Sequence, residues 1–209
     1  LAFSYYKIFK SHKEFSFRGK NYHYFYHPYG VTWKNDRAVE IPIIWDIVKQ
    51  HKGKKILEVG NVLSHYFNIN HIVIDKYEKD EHEKIINQDI VDFDSKDKYD
   101  MIVSISTIEH IGWDEEIKDS MKTFYAINNI KRMLAKNGKF IATFPYAYNP
   151  HLTSLLKDGK IKFDELYFLK KIARRTWQEA SWDEVKDMQY NNPYSNTNAL
   201  VIGIINNAS

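Results

Sequence analysis

Lys55-Ile56-Leu57-Glu58-Val59-Gly60 is a short apolar run that closes on a glycine, and His71-Ile72-Val73-Ile74-Asp75 repeats the form shortly after it. Both runs are rich in β-branched residues and bounded by turn or polar residues, the pattern of strands buried on both faces. Working outward, Tyr99-Asp100-Met101-Ile102-Val103-Ser104-Ile105 supplies a third strand and Gly138-Lys139-Phe140-Ile141-Ala142-Thr143-Phe144 a fourth. Between them Met121, Phe124, Tyr125, Ile127, Ile130, Met133 and Leu134 keep helical spacing up to an Asn137-Gly138 stop. Upstream, Val39, Ile43, Ile44, Ile47 and Val48 form a second helical pattern behind a cap at Asn35-Asp36. Pro42 requires that helix to start nearby or kink, and Gly53 ends it.

Strands alternating with helical segments predict an α/β chain of Rossmann-like, doubly wound, mostly parallel type, which binds ligands beyond the carboxyl ends of its strands. Glu58, Asp75 and Ser104 fall at those ends. The connection from Gly60 to His71 is short for a parallel crossover and leaves room for at most a short helix. Toward the C-terminus, Leu166 to Ile172 reads as strand or helix, Trp177 to Met188 as helical, and Ala199 to Ile205 as an apolar, antiparallel closing strand.

The first segment, Leu1 to Trp33, interleaves aromatics with basic residues. Alternation of Phe15, Phe17, Tyr22, Tyr24 and Tyr26 about Arg18-Gly19-Lys20-Asn21 predicts a β-hairpin. The expected organisation is therefore an aromatic extension over 1–34 packed on an α/β domain over 35–209.

Composition narrows the function classes. Thirty basic against twenty-seven acidic side chains leave a formal charge of +3, too little for an extended nucleic-acid or membrane surface. No apolar run approaches the ~20 residues that cross a bilayer. With no cysteine there is neither disulfide nor thiol nucleophile, and the expectation is a cytoplasmic protein. His23 and His27 flank the aromatic hairpin, no histidine pair at i, i+4 spacing carries the Glu of a helical zinc site, and no metal is expected.

In order, Ile56-Leu57-Glu58-Val59-Gly60-Asn61, Val73-Ile74-Asp75, Gln88-Asp89-Ile90, Tyr99 to Ser104 and Leu134-Ala135-Lys136-Asn137-Gly138-Lys139 resemble the sequential motifs of class I S-adenosylmethionine-dependent methyltransferases, over residues 54 to 146. The resemblance implies S-adenosyl-L-methionine as cofactor, with Glu58, Gly60, Asn61, Asp75, Asp89, Ile90 and Ser104 around it. In that arrangement the backbone at Gly60 approaches the ligand closely, Glu58 accepts from its ammonium group, Asp75 from two ribose hydroxyls, and Asp89 from the adenine amino group beside Ile90. Strand-end Gly and Asp also serve as turn and cap residues. The chain departs from the family where further glycines are usual: it has Asn61-Val62-Leu63-Ser64-His65. Either the pocket is rebuilt with Asn61 or Ser64 at the ligand, or cofactor binding is lost.

Ser104 to Asp114 resembles the post-strand segment of small-molecule methyltransferases that carry a Glu-His pair. His110 is the candidate general base for a hydroxyl acceptor, with Glu109 and Asp114 as alternatives. The run from Asn35 to Pro150, including Phe144-Pro145-Tyr146-Ala147-Tyr148-Asn149-Pro150, looks like methyltransferase-like proteins of microbial surface-polysaccharide pathways, which implies O-methylation of a small or glycan-like acceptor. Tyr22, Tyr24, Tyr26, Tyr29 and Trp33 read as a platform over that acceptor or as edge packing, and Arg37 with Glu40 as an orienting pair or a surface pair. Asn192-Pro193-Tyr194 reads as a turn, and Lys170 to Arg175 as a solvated basic face. The rival reading is a non-catalytic module that binds a nucleotide-like ligand or a protein. An NAD-dependent oxidoreductase is disfavoured by the absence of Gly-x-Gly-x-x-Gly.

Overall fold

A computed structural model describes residues 2–10, 12–79 and 85–208. In chain order the described elements begin with α1 (Ala2–Phe9), β1 (Glu14–Phe17), β2 (Lys20–His23), α2 (Arg37–Gln50), β3 (Ile56–Val59), β4 (Ile72–Ile74), β5 (Ile85–Ile86) and β6 (Tyr99–Ile105). There follow α3 (Lys122–Arg132), β7 (Leu134–Pro145), α4 (Pro150–Lys157), β8 (Glu165–Ala173), β9 (Thr176–Ala180), α5 (Trp182–Val185) and β10 (Ala199–Asn206). Eight strands form one sheet in the order β5-β4-β3-β6-β7-β10-β8-β9. The pairs from β5 through β7 are parallel, and β10 enters antiparallel between β7 and β8. The chain runs outward from β3 to β5 and then returns to the other side of β3, so a crevice opens where the order reverses.

Both faces of the sheet are covered, and the side-chain alternation of β6 shows how. Met101, Val103 and Ile105 join one apolar cluster with Val39, Ile43 and Ile44 of α2, while Tyr99 and Ile102 join another with Ala126, Ile127 and Ile130 of α3. Phe15, Phe17 and Tyr24 of the N-terminal segment belong to the first cluster. At the outer edge, the Trp177 N–H on β9 donates to the buried Tyr24 hydroxyl at 2.9 Å. The segment thereby satisfies an edge amide that a further strand would otherwise take.

Several local expectations are revised. Pro42 lies inside α2 rather than at its start. The missing Pro42 N–H leaves the Ala38 carbonyl free, and the Phe25 N–H donates to it at 2.8 Å, so the helix continues without an orphaned acceptor. Asp36 precedes that helix without capping it; its carboxylate accepts from Thr197 at 2.7 Å, and Asn35 accepts from the Arg37 N–H instead. The helical reading of Trp177 to Met188 fails in its first part, because Thr176–Ala180 pairs with β8. Only the turn Trp182–Val185 is helical, opened by a capping box between Ser181 and Glu184. Likewise α3 stops at Arg132, and Leu134 already pairs with Tyr99. Tertiary pairing outweighs local periodicity at both places. No helix among the described residues is long and apolar enough to cross a membrane.

Tyr24→Phe removes the acceptor of a buried amide while conserving volume. The expected loss is about 1–3 kcal/mol, read as a lower urea midpoint with an unchanged slope. An unchanged midpoint means that the hydroxyl does not secure the edge.

Candidate active site

The turn after β3 is built around one carboxylate. Glu58 is fully buried, and one of its oxygens accepts from the Val62 and Leu63 N–H groups at 2.9 and 2.8 Å. The other lies 2.7 Å from His71 Nε2. The chain is folded into a tight 3-10 turn over Leu63–His65 in place of a crossover helix. Gly60 has a φ of 86°, and a Cβ there would lie 2.2 Å from the Thr107 hydroxyl, so only glycine fits. Its N–H donates to the Ile74 carbonyl at 2.8 Å, and the next N–H, of Asn61, donates to Asp75 Oδ2 at 3.0 Å. Asp75 Oδ1 accepts from the Tyr77 and Glu78 amides, both at 2.8 Å. The amide donors of residues 60–63 are thus all turned inward.

Beyond the carboxyl ends of β3 and β4 lies a cavity of about 350 Å³. Gly60, Asp75, Asp89, Ile90 and His110 line it, with Val59, Ile74 and Ile111 as apolar walls. Glu58, Asn61 and Ser104 do not line it. Glu58 holds the turn; Asn61 donates to Glu78 at 2.9 Å and bonds Ser64; Ser104 donates to the Val59 carbonyl at 3.1 Å, tying β6 to β3. Asp89 faces two ammonium groups, Lys122 at 2.7 Å and Lys76 at 3.0 Å, and Glu115 is shared by the same two lysines. Burial pushes the Asp89 carboxyl upward, but the hydrogen bond from Lys122 leads the effects that hold it below the usual carboxylate range.

The segment after β6 forms the opposite wall. Ser106 takes a φ of 39°, in the left-handed region, and its hydroxyl donates to Glu40 at 2.6 Å. Arg37 donates to the Ile105 carbonyl at 3.0 Å and to Glu40 at 3.3 Å. Glu40 is fully buried, so the Arg37–Glu40 pair is an internal clamp on this strained turn and not a surface pair. Burial, with Asp36 next in weight and Arg37 opposing, pushes the Glu40 carboxyl up to about 7.

His110 is half-exposed and lines a second cavity of about 270 Å³ that includes Arg37, Ser106, Glu109, Tyr148 and Tyr190. Its Nδ1 bonds Asp114, which also accepts from the Tyr148 hydroxyl at 2.6 Å. Burial works to raise the Asp114 carboxyl, but the bonds from Tyr148 and His110 outweigh it and hold it low. An ionised Asp114 places the ring proton on Nδ1 and leaves Nε2 with a lone pair, the orientation a general base requires. Glu109, 3.6 Å from Nε2, is buried with Oε2 unpartnered, and burial pushes its carboxyl well above the ordinary range.

The structure therefore brings Gly60, Asp75, Asp89, Ile90 and His110 together, and sets Glu109 in the adjoining cavity. Sequence reasoning missed Thr107, Lys76, Lys122, Glu115 and Tyr148. Thr107 and Tyr148 lay inside quoted motif segments, whereas nothing in the sequence links Lys122 to Asp89.

No protein-family model matches the chain, and no curated protein matches it. Among solved structures, the chain is similar to the N-methyltransferase NodS from Bradyrhizobium japonicum WM9, at 13% identity and a TM-score of 0.50, over 83% of this chain and 99% of that one. The same enzyme in complex with S-adenosyl-L-homocysteine gives 13% identity and a TM-score of 0.49, over 85% and 95%. The sugar N-methyltransferase KedS8 from Streptoalloteichus sp ATCC 53650 gives 12% and 0.43, over 93% and 99%. The fold is that of the class I S-adenosylmethionine-dependent methyltransferases.

Glu40 gives the fold a pH signature. Below the ordinary value of 4.5 both the native and the unfolded chain hold this proton. From there to about 7 the unfolded chain releases it while the native one keeps it, so this contribution lowers stability as pH rises and then levels off. Glu40→Gln is expected to flatten the fall in denaturation midpoint across that window. An equal slope in wild type and variant would assign the trend to other groups.

Proposed function

We propose that the chain is an S-adenosylmethionine-dependent methyltransferase acting on a hydroxyl of a small or glycan-like acceptor. One observation carries this reading: a cavity at the switch point of a methyltransferase fold and a second cavity beside it share the oriented imidazole of His110. NodS, whose fold the chain shares, is an N-methyltransferase.

The residues present fit the adenosyl part of the cofactor. Gly60 lets Thr107 pack closely at the cavity wall, Asp75 Oδ2 keeps a lone pair for a hydroxyl donor, and Ile74, Ile90 and Ile111 offer apolar contact to a ring. The inward-turned amides of residues 60–63 offer nothing to the amino-acid end, which other groups have to meet. When bound, the cofactor supplies a sulfonium methyl group. This chain's part is alignment, exclusion of water and removal of the acceptor proton. His110 Nε2 takes that proton, with Asp114 stabilising the imidazolium that forms. Burial disfavours the charged form of Glu109 beside it. The same inward-turned amides favour a second reading, the non-catalytic module.

Calorimetry with S-adenosylmethionine and S-adenosylhomocysteine separates the two. Saturable binding of both is expected; binding of neither removes the enzyme. In methyl-transfer assays over a panel of hydroxyl acceptors, His110→Gln should lower kcat by on the order of 10²–10⁴ with the affinity for S-adenosylhomocysteine unchanged. Equal turnover by the variant would exclude His110 as the base.

A further inference from the structure

A third cavity, of about 320 Å³, lies under the N-terminal segment beside the β8–β9 turn. Its walls are aromatic: Tyr24, Tyr26, Trp33 and Trp177. Its charged lining is wholly cationic, with Lys34, Lys171, Arg174 and Arg175 present and no Asp or Glu. The basic run that reads in the sequence as a solvated face is thus folded onto the aromatic segment.

Two of these cations are poorly compensated. Lys171 is only 7% exposed, and its ammonium finds the Ser195 carbonyl at 3.3 Å and the face of Trp177 at 5.1 Å. None of the ion pairs among the described residues includes it, and burial lowers its pKa. Asp36, the acid acting on it from just ahead of α2, already accepts from Thr197. Arg175 lies over Tyr6 at 4.8 Å, with its buried Nε unpartnered. Holding an ammonium out of water without a counter-ion is costly, and so is an unmet guanidinium donor. An incoming anion with several acceptor oxygens offsets both costs together. The flat walls beside it suit a ring.

We propose that this cavity binds a phosphorylated ring compound, the phosphate among Lys171, Arg174 and Arg175 and the ring against the aromatic wall. Asn35 and Asn196 line both this cavity and the one holding His110. Resting on the methyl-transfer reading, this makes it the distal half of the acceptor site, so the acceptor carries a phosphate at the end remote from the reacting hydroxyl.

Calorimetry on the full chain tests it with phenyl phosphate, phenyl sulfate and phenol, in parallel with S-adenosylhomocysteine. Phenyl phosphate is expected to bind saturably, at least tenfold more tightly than either comparison compound, and more weakly as salt rises. Lys171→Met keeps the buried stem and should weaken phenyl phosphate at least tenfold, leaving S-adenosylhomocysteine unaffected. Arg174→Ser, at an exposed position, should weaken it several-fold and serves if the first variant does not fold. Equal binding of phenol, or no effect of either substitution, overturns the site; equal binding of phenyl sulfate overturns the phosphate assignment. Loss of S-adenosylhomocysteine binding alone defeats the methyl-transfer reading and leaves the phosphate site standing.

Discussion

The buried carboxylate of Glu58 is the constraint on which the ligand end of this molecule depends. It sits on the central strand without exposure, takes two amides of the following turn on one oxygen and meets His71 on the other. An unpaired carboxylate in that position would be prohibitively costly, so the turn and the start of β4 have to stay where they satisfy it. This is how the chain passes from β3 to β4 without a crossover helix. The same arrangement removes from the ligand the donors that a glycine-rich turn would present, and gives the cavity floor its shape through Gly60 and Thr107.

A second dependency runs through α2. Pro42 frees a carbonyl that the N-terminal segment occupies through Phe25, and one turn earlier Arg37 and Glu40 grip the end of β6 and Ser106. The helix therefore joins the aromatic segment on one side to the His110 turn on the other. Because Glu40 is buried among Asp36, Arg37 and Ser106, its proton belongs to that joint and not to the surface. The left-handed backbone at Ser106 persists because the preceding residue and its own side chain are held, the Ile105 carbonyl by Arg37 and the 106 hydroxyl by Glu40.

In the parallel half of the sheet β3, β4, β6 and β7 were legible because they spell themselves as apolar runs, whereas the two-residue, partly buried β5 was not. The hairpin was legible from alternation, and β10 from its apolar length. Residues 176–180 were not, since Trp177 and Ala180 carry both periods and only pairing with β8 decides between them. In the site, Gly60 and Asp75 were readable because each sits at a strand end, and Asp89, Ile90 and His110 only through the resemblance of their segments to the family's motifs. Glu58, Asn61 and Ser104 occupy similar sequence positions, yet their polar atoms are spent on the turn itself, a difference of side-chain direction that no spacing encodes. The Lys76–Asp89–Lys122–Glu115 network was hidden for the opposite reason: its members come from separate elements and meet only in space.

Half of the His110 side chain faces solvent, and this bears on how the site works. A base for a weakly acidic hydroxyl, the role proposed for His110, gains from a dry, low-dielectric setting, and a half-exposed ring lacks one. Asp114, itself held by Tyr148, bonds the ring at Nδ1, and the buried Glu109 lies near Nε2. In the proposed reading the enclosure is completed by the bound molecules themselves, one from each of the two cavities that share the ring. An acceptor that also reaches past Asn35 and Asn196 toward the aromatic wall gains contact area remote from the reacting atom. If the proposed methyl transfer holds, binding energy realised there can be spent on desolvating and aligning the hydroxyl at His110, which would make a long acceptor a better substrate for this geometry than a short one carrying the same hydroxyl.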